Sequence, residues 1–312
     1  MILRILGGVL LVLVLIVAFL AWSHRPLSPE TLQARYMSDE DRFVEAAGQT
    51  WRVRESGPEG ADAVVLIHGF SHSLESFEPL ADRLDADYRV IRFDLPGHAL
   101  TGPRSDAAYS NEATTEQVSA LLDEIAPERF AVGGNSLGGL VAWRYAATAP
   151  ERVAGLVLVS PGGFPNLGVG DEPLEAPAAV QTYLRFAPEA GVRQAMETLY
   201  AEPERLTDAQ VRRIRDLMRT RGVGDALIER IAQFTLPNPE ETLAQIDAPT
   251  LVIWGAEDAM IPAEHGERFE AALPDADLLV IEDAGHMAQV ETPDRAAEAV
   301  RRFLEADVFA GE

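Results

Sequence analysis

The sequence predicts an α/β fold in which a mostly parallel central sheet is flanked by helices and carries a helical cap insertion. Three observations support this prediction. Short, continuous apolar runs, of the kind that form strands buried on both faces, recur along the chain. Amphipathic helical stretches alternate with these runs, as in parallel sheets covered by helices. From Pro161 to Ile246 the alternation stops and several helical stretches follow one another, which indicates a cap inserted between two strands.

The composition is that of a globular protein and excludes several kinds of site and partner. The 312 residues are 47% hydrophobic and 24% charged, which is enough to build a sizeable core. Cysteine is absent, so disulfides, thiol nucleophiles and cysteine metal sites are excluded. The 50 acidic residues outnumber the 26 basic ones, all of them arginine, and the net charge is −24. A field of this sign repels phosphate backbones, so no nucleic acid partner is expected.

Residues 1–22 are predicted to be a transmembrane anchor. An uncharged run of eighteen residues extends from Ile5 to Trp22. As a helix it would be about 27 Å long, which nearly matches a hydrocarbon core of about 30 Å. A cleavable signal peptide is the alternative, although the run is longer than a usual signal core. We therefore expect a single-pass N-terminal anchor, with the catalytic domain periplasmic or otherwise extracytoplasmic, and a polar tether over residues 23–41.

The rest of the chain divides into a core, residues 42–161 and 248–312, and a helical cap, residues 162–247. Arg42 to Glu55 has the pattern of a β-hairpin. Six apolar runs predict the other strands: Ala63–Ile67, Tyr88–Phe93, Phe130–Val132, Val153–Val159, Thr250–Trp254 and Ala276–Ile281. Seven amphipathic stretches predict helices: Leu74–Leu84, Thr114–Ile125, Leu137–Thr148, Thr207–Arg219, Gly224–Phe234, Ala263–Ala272 and Arg295–Leu304.

A serine lies in a predicted turn between a strand and a helix. Gly134-Asn135-Ser136-Leu137-Gly138 has the G-x-S-x-G pattern, directly after the strand at Phe130–Val132. The glycines allow a tight, strained turn that projects Ser136 above the sheet. The pattern alone is weak, but between a strand and a helix it predicts a nucleophile that a neighbouring base activates. The alternative is a serine in a glycine-rich turn or a helix cap.

Two backbone N–H groups are candidates for binding an oxyanion beside Ser136. Leu137 follows the serine directly, and Phe70 ends the loop His68-Gly69-Phe70 after an earlier strand. Donors of this kind stabilise the tetrahedral intermediate of acyl transfer. His68 is expected to fix this loop by hydrogen bonding instead of acting as the base. The roles of two further histidines, His72 and His98, stay open.

A carboxylate and a histidine at the ends of late strands complete the pattern. Asp258 follows the strand Thr250–Trp254, and His286 follows the strand Ala276–Ile281. The order Ser136, Asp258, His286 is that of elbow-type triads, in which the aspartate orients the imidazole and the imidazole takes the serine proton. The other carboxylates near these strand ends are Glu257, which is the runner-up, Glu282 and Asp283.

No cofactor and no metal are predicted. The sequence contains no cluster of histidines and carboxylates at ligand spacing. It also contains no G-x-x-x-x-G-K-[ST] phosphate loop and no G-x-G-x-x-G after a strand. A Ser-His-Asp triad uses neither kind of group.

Taken together, these motifs resemble those of the α/β-hydrolase family over roughly Arg42 to Leu304. The resemblance rests on His68-Gly69-Phe70, Asp94-Leu95-Pro96-Gly97-His98, Gly134–Gly138, Asp258 and Gly285-His286. It implies a serine hydrolase with a helical cap after the sixth strand. Haloalkane dehalogenases and epoxide hydrolases of this fold need a carboxylate nucleophile, so Ser136 disfavours both activities. Ala99 is a departure, since many relatives have glycine there.

The motifs and the resemblance predict a membrane-anchored serine hydrolase of carboxylic esters, either a carboxylesterase or a lipase-like enzyme. Its expected partners are a small-molecule or lipid-like ester and, through the N-terminal helix, the membrane. No oligomeric state is predicted. The first alternative is a carbon–carbon bond hydrolase of aromatic degradation, which Val159-Ser160-Pro161-Gly162-Gly163 resembles. The others are a haloperoxidase-like or acyl-transfer activity on the same triad and a catalytically silent binding module.

Overall fold

The computed structural model describes residues 25–310, which form one eight-stranded sheet with flanking helices. The strands are β1 (Asp41–Ala46), β2 (Gln49–Ser56), β3 (Ala63–Ile67), β4 (Arg89–Phe93), β5 (Phe130–Asn135), β6 (Val153–Val159), β7 (Thr250–Gly255) and β8 (Ala276–Ile281). Their order in the sheet is β1-β2-β4-β3-β5-β6-β7-β8. Strands β3 to β8 pair in parallel, whereas β1 and β2 form an antiparallel hairpin beside β4. The predicted α/β fold with a mostly parallel sheet is confirmed.

The connections between the strands are mostly helical. The α-helices of the described residues are α1 (Pro29–Tyr36), α2 (Glu78–Leu84), α3 (Asn111–Ile125), α4 (Leu137–Thr148), α5 (Ala178–Phe186), α6 (Glu189–Glu197), α7 (Asp208–Met218), α8 (Val223–Gln233), α9 (Glu240–Leu243), α10 (Glu264–Ala272), α11 (Ala288–Glu291) and α12 (Pro293–Phe303). Local chemistry sets several of their ends. The hydroxyl of Ser110 accepts an N–H group in the first turn of α3, and Thr207 and Gln210 form a capping box at α7.

The central strands are apolar on both sides because helices cover both faces of the sheet. All five residues of β3 are buried. Val65 and Ile67 pack in one cluster with residues of α3 and α4, whereas Val64 and Leu66 pack in another with residues of α2 and α12. Successive side chains of a strand point to opposite faces, so a strand covered twice has a continuous apolar sequence. This pattern identifies the central strands in the sequence.

Helices α5 to α9 form the insertion between β6 and β7. Residues of α5 to α8 make a separate apolar cluster, which includes Leu184, Val192, Val211 and Leu227. Three residues from loops at the carboxyl edge of the sheet join this cluster: Phe70 after β3, Met260 after β7 and Met287 after β8. The insertion therefore packs on the edge of the sheet where the candidate site residues are found.

The stretch predicted to be a polar tether, residues 23–41, contains helix α1, which packs on α7. Leu32 is fully buried in a cluster with Leu217. The guanidinium of Arg35 and the hydroxyl of Tyr36 both donate to the carboxylate of Asp216. The sequence does not indicate this helix. Of its eight residues only Leu32 is buried, which is too few to give an amphipathic pattern.

The structure corrects the predicted localisation, a single-pass membrane protein with an extracytoplasmic domain. Across residues 25–310 no helix is both long enough and apolar enough to cross a bilayer. The longest of these helices, α3, has 15 residues, whereas a spanning helix needs about 20. The predicted anchor, residues 1–22, lies outside the residues that the structure describes.

Candidate active site

Ser136 occupies the turn between β5 and α4. Its backbone has φ 56° and ψ −117°, a conformation that residues other than glycine rarely adopt. The turn needs glycine on both sides of the serine. A Cβ at Gly134 would lie 2.3 Å from the carbonyl carbon of Gly138, and a Cβ at Gly138 would lie 1.9 Å from the carbonyl oxygen of Ile67. These close approaches explain the G-x-S-x-G spacing and hold the serine at the carboxyl end of β5.

The loop after β3 passes directly beside the serine. A Cβ at Gly69 would lie 3.3 Å from the Cβ of Ser136. Phe70, Ser136 and Leu137 all line one cavity. Leu137 is the first residue of α4, so its N–H group has no acceptor within the helix. The two residues predicted to supply oxyanion donors thus line the same cavity as the serine.

Asp258 and His286, although 28 positions apart, form a buried hydrogen-bonded pair. Oδ2 of Asp258 lies 2.8 Å from Nδ1 of His286. Oδ1 of Asp258 accepts the N–H groups of Met260 and Ile261 at 2.8 and 2.9 Å. The side chains of Asp258 and His286 are 0% and 4% exposed. A carboxylate held in this way fixes the Nδ1–H tautomer and leaves Nε2 as the acceptor of a proton.

Two polar side chains outside the predicted set hold the His286 loop in place. The amide of Asn135 donates to the carbonyl oxygens of His286 at 2.9 Å and Val159 at 3.1 Å. The carboxylate of Glu291 accepts the N–H group of Gly285 at 2.8 Å, and burial raises the pKa of Glu291. The position of Asn135 inside the G-x-S-x-G pattern could have indicated its role from the sequence. The sequence around Glu291 gives no such indication.

The structure places Ser136 on a loop next to the Asp258–His286 pair. The bond from Asn135 to the His286 carbonyl joins the two loops one residue before the serine. Within the described residues, however, no hydrogen bond links the Ser136 hydroxyl to the His286 ring. Contacts between a nucleophile and its base are often long in structures without substrate and tighten when substrate binds.

The other carboxylates considered as partners of the histidine lie elsewhere. Glu257, Glu282 and Asp283 are all exposed. Asp283 forms surface ion pairs with Arg295 and Arg205. Of the four carboxylates considered, the structure pairs Asp258 with His286.

His68 ties the loop after β3 to the backbone at Leu95 through its ring nitrogens. Its Nδ1–H donates to the carbonyl oxygen of Gly69 at 2.8 Å, and its Nε2 accepts the N–H group of Leu95 at 2.9 Å. The second bond requires an unprotonated Nε2, so the ring is neutral. Burial lowers the pKa of His68 to about 3, in agreement with this assignment.

His72 and His98 lie beside the same loop and are also buried. Nδ1 of His72 lies 2.9 Å from the carbonyl oxygen of Phe70, and Nδ1 of His98 lies 3.1 Å from that of Pro96. Burial lowers the pKa of His72 to about 4 and that of His98 well below its usual value. Both rings are therefore neutral near pH 7.

A largely apolar cavity of about 440 Å³ is lined in part by Ser136. Most of its wall consists of aliphatic and aromatic side chains from the insertion and the segment before it, including Leu167, Val169, Leu174, Val180, Ile231 and Phe234. Leu167 and Leu174 are 69% and 44% exposed, so the apolar wall continues to the surface. Two charged residues, Glu175 and Arg230, also belong to the wall.

Chemically, this arrangement can activate a hydroxyl for acyl transfer. It combines an oriented imidazole, a strained serine turn and backbone donors beside the serine. Within residues 25–310 no group of three histidine, aspartate or glutamate side chains is placed to hold a metal ion.

The chain is similar to a known protein family and to several known proteins. A family model described as the alpha/beta hydrolase fold matches residues 62–293. The acetyltransferase component of the acetoin cleaving system of Pseudomonas putida is 31% identical over 84% of this chain and 68% of its own length. Lipase 1 of Psychrobacter immobilis is 28% identical over 84% of this chain and 83% of its own length. A 2-hydroxy-6-oxononadienedioate/2-hydroxy-6-oxononatrienedioate hydrolase of Cupriavidus pinatubonensis is 32% identical over 78% and 87%.

Solved structures share the same fold. A putative lipase from Acinetobacter baumannii superposes with a TM-score of 0.74 at 24% identity, covering 89% of this chain and 96% of its own. At this level of identity the likeness extends to the fold alone.

Proposed function

The chain belongs to the alpha/beta hydrolase family, and we propose that it is a serine hydrolase that cleaves carboxylic esters through an acyl-enzyme. The observation that carries the proposal is the 2.8 Å bond between Asp258 and His286, on the loop bonded to the residue before Ser136. This pair supplies what a serine hydroxyl lacks, a base oriented to take its proton.

In the proposed mechanism, Nε2 of His286 removes the Ser136 proton as Oγ attacks the ester carbonyl carbon. The carbonyl oxygen becomes an oxyanion, which the N–H groups of Phe70 and Leu137 stabilise. His286 then gives its proton to the leaving alkoxide oxygen while the bond between that oxygen and the acyl carbon breaks. Asp258 stabilises the imidazolium that forms between these two transfers.

Water completes the proposed cycle. His286 removes a proton from a water molecule, whose oxygen attacks the acyl carbon of the acyl-enzyme. A second tetrahedral intermediate collapses, the proton returns to Oγ of Ser136, and the carboxylic acid leaves. No external electron or group donor is needed at any step.

The cavity supports an ester with a substantial apolar portion. Its wall beside Ser136 is mostly aliphatic and aromatic, and its volume of about 440 Å³ is in the range of small-molecule sites. In this proposal residues 162–247 act as a cap over a core of residues 42–161 and 248–312. The similarity to Lipase 1 of Psychrobacter immobilis, whose name denotes ester hydrolysis, also supports the proposal.

Carbon–carbon bond hydrolysis is the second candidate function. It is favoured by the 32% identity to the dienedioate hydrolase, slightly above the 28% identity to the lipase. Both reactions would use Ser136, His286 and Asp258, so substrate is the discriminating variable. Assays with aryl esters and with dienoic ketones on the same preparation separate them: turnover of the ketones alone would replace ester hydrolysis as the assigned function.

A fluorophosphonate probe followed by a p-nitrophenyl ester series tests the proposal. We expect one covalent adduct, at Ser136, and hydrolysis that falls by at least about 1,000-fold in Ser136→Ala and in His286→Ala. Ser105→Ala, which changes an exposed loop serine, is the matched control and should keep wild-type activity. An unlabelled Ser136 would support the silent binding module, and full activity in Ser136→Ala would remove the nucleophile assignment.

A further inference from the structure

A buried arginine forms part of the cavity wall that also contains Ser136. Arg230 lies on α8 and is 1% exposed. Enclosing a guanidinium this completely is costly, and proteins usually pair such a group with a carboxylate. The groups that contact Arg230 therefore indicate its role.

The protein surrounds Arg230 with neutral acceptors. Its Nη1 donates to the hydroxyl of Thr114 at 3.0 Å and the carbonyl oxygen of Tyr109 at 3.3 Å, and its Nη2 donates to the carbonyl oxygen of Pro96 at 3.0 Å. Among the ion pairs of residues 25–310, none within 4.0 Å involves Arg230. Burial lowers the pKa of Arg230 to about 10, so the group is still charged at pH 7.

Arg52 shows how the same fold treats a buried arginine that serves structure. It is 0% exposed and contacts the carboxylates of Asp41, Glu75 and Asp94. Arg230 is almost as fully buried and lines a cavity in place of having such partners. Arg92 is also buried and, among the described residues, has no carboxylate within 4.0 Å, but it does not line this cavity. Contact with the cavity, together with the missing carboxylate partner, therefore distinguishes Arg230 as a candidate anion-binding group.

The unused donors of Arg230 suit a carboxylate. A guanidinium has five N–H groups, and three of them are accounted for by the bonds to Thr114, Tyr109 and Pro96. Nε–H and one N–H of Nη2 have no acceptor in the described part of the chain. These two nitrogens flank one edge of the guanidinium, the arrangement that binds a carboxylate through two parallel hydrogen bonds.

We propose that Arg230 binds a free carboxylate on the substrate, so that the preferred ester is anionic and carries its charge at a distance from the scissile bond. This inference rests on the proposed ester hydrolysis at Ser136 and names the substrate class. The apolar wall then holds the carbon chain between the two polar ends. Glu175, the other charged residue of the wall, is exposed and so lies towards solvent.

The first experiment needs only the unaltered protein. Mono-p-nitrophenyl esters of adipic, suberic and sebacic acid are compared with their methyl-capped twins, which have the same chain and no charge. We expect kcat/KM to be about 10- to 100-fold higher for the anionic member at one chain length, since hydrogen bonds to charged groups have this effect. Assays at low and high salt separate this preference from the general repulsion of anions by a chain with a net charge of −24.

A second substrate pair locates the carboxylate relative to the scissile bond. Butanoate esters of 4-hydroxyphenylacetic acid and of its methyl ester carry or lack the charge on the alcohol side. A preference confined to the dicarboxylic series assigns Arg230 to the acyl side, and a preference confined to this pair assigns it to the alcohol side. Equal or better hydrolysis of every neutral twin, at both salt concentrations, would overturn the proposal.

Variants connect the preference to the residue. Arg230→Met keeps most of the apolar stem and should reduce the ratio of anionic to neutral kcat/KM to about 1, whereas Arg230→Lys should retain part of it. A ratio is insensitive to the fraction of folded enzyme, so loss of stability alone does not move it. Arg185→Met, at an exposed arginine of α5 that pairs with Asp225, is the control and should keep the wild-type ratio.

The two levels of inference fail in different ways. If no ester is hydrolysed, or hydrolysis survives Ser136→Ala, the proposed function is wrong. If neutral esters are hydrolysed with full dependence on Ser136 and Arg230→Met changes both members of each pair equally, Arg230 only ties α8 to the core and this inference alone is wrong.

Discussion

The side-chain amide of Asn135 donates a hydrogen bond to the backbone carbonyl of His286 at 2.9 Å. The residue before the candidate nucleophile is thus bonded to the residue that serves as the candidate base. The same amide also bonds the carbonyl of Val159 at 3.1 Å, so it connects the ends of β5 and β6 to the loop after β8. Three separate connections of the sheet are thus held together at the candidate site.

Asn135→Ala should slow catalysis more than it weakens substrate binding. The change leaves the buried carbonyl of His286 without a donor, whereas the carbonyl of Val159 still accepts the N–H group of Ser136. We expect it to lower the free energy of unfolding by about 1–3 kcal/mol. It also frees the His286 loop, so kcat should fall about 10- to 100-fold with a smaller change in KM. Steady-state kinetics and urea unfolding measure both effects. Asn238→Ala, at an exposed loop residue before α9, is the control, and equal effects of the two changes would contradict the role given to Asn135.

Asp258→Asn should preserve the fold and remove most of the activity. An amide oxygen can still accept the N–H groups of Met260 and Ile261. The amide nitrogen, however, cannot accept the Nδ1–H of His286, so the imidazole loses its orientation and its tautomer. We expect kcat to fall by about 1,000- to 10,000-fold, measured on a soluble p-nitrophenyl ester. Asp283→Asn, at one of the other carboxylates considered, should have little effect; the reverse ranking would exchange their roles.

Gly138→Ala should destabilise the protein because the added methyl group has no space. Its Cβ would lie 1.9 Å from the carbonyl oxygen of Ile67, and that oxygen belongs to the backbone of a central strand and cannot move aside. We expect a loss of about 3 kcal/mol or more, at the upper end of overpacking effects. Thermal unfolding gives the measurement. Gly60→Ala, where nothing lies within 4 Å of the added Cβ, should be near neutral, and similar losses at both sites would refute the steric explanation.

Acid should destabilise the protein through its buried histidines. Burial lowers the pKa of His68 to about 3 and that of His72 to about 4, and it also depresses the pKa of His98. Below about pH 6.5 the unfolded chain takes up protons on these groups while the native protein does not. The native state then binds fewer protons, so the free energy of unfolding decreases as the pH falls from about 6.5 to about 4.

The slope of this decrease can be assigned to individual residues. Each buried histidine contributes up to about 1.4 kcal/mol per pH unit in this interval. Asp94 acts in the opposite sense, because burial raises its pKa to about 6 and the native state takes up a proton there first. Urea unfolding between pH 4 and 7 should show a smaller slope for His98→Asn. Burial also lowers the pKa of the partly exposed His265, so His265→Asn should reduce the slope to a smaller extent. An unchanged slope in His98→Asn would exclude the contribution of His98.

Three strands of the sheet could be predicted from the sequence with their observed bounds, whereas β5 extends three residues beyond the predicted Phe130–Val132. The apolar runs at Ala63–Ile67, Val153–Val159 and Ala276–Ile281 coincide with β3, β6 and β8. The limits of β3 and β6 are visible because both strands are apolar and buried throughout. In β8, which contains Asp277, only Ile281 is buried. The insertion was less predictable: α5 and α6 follow proline and bury only Leu184, Val192 and Met196, so their apolar pattern is short.

The sequence predicts the candidate site only where local geometry restricts which residue types can occupy a position. The turn at Ser136 needs glycines at fixed spacing, and the strand ends limit the choice of carboxylate and histidine. The contacts of Asn135 and Arg230 depend instead on how distant segments pack, with partners up to 151 residues away. No window of sequence contains both ends of such a contact.

The docking of α1 on α7 ties the start of the described chain to the insertion between β6 and β7. Asp216 receives both Arg35 and Tyr36, and Leu32 fills the space beside Leu217. A shortened version of the protein that begins at the first strand would uncover this aliphatic surface and leave the aspartate without those two donors. Removal of the leading residues therefore also alters the packing of α7 within the insertion.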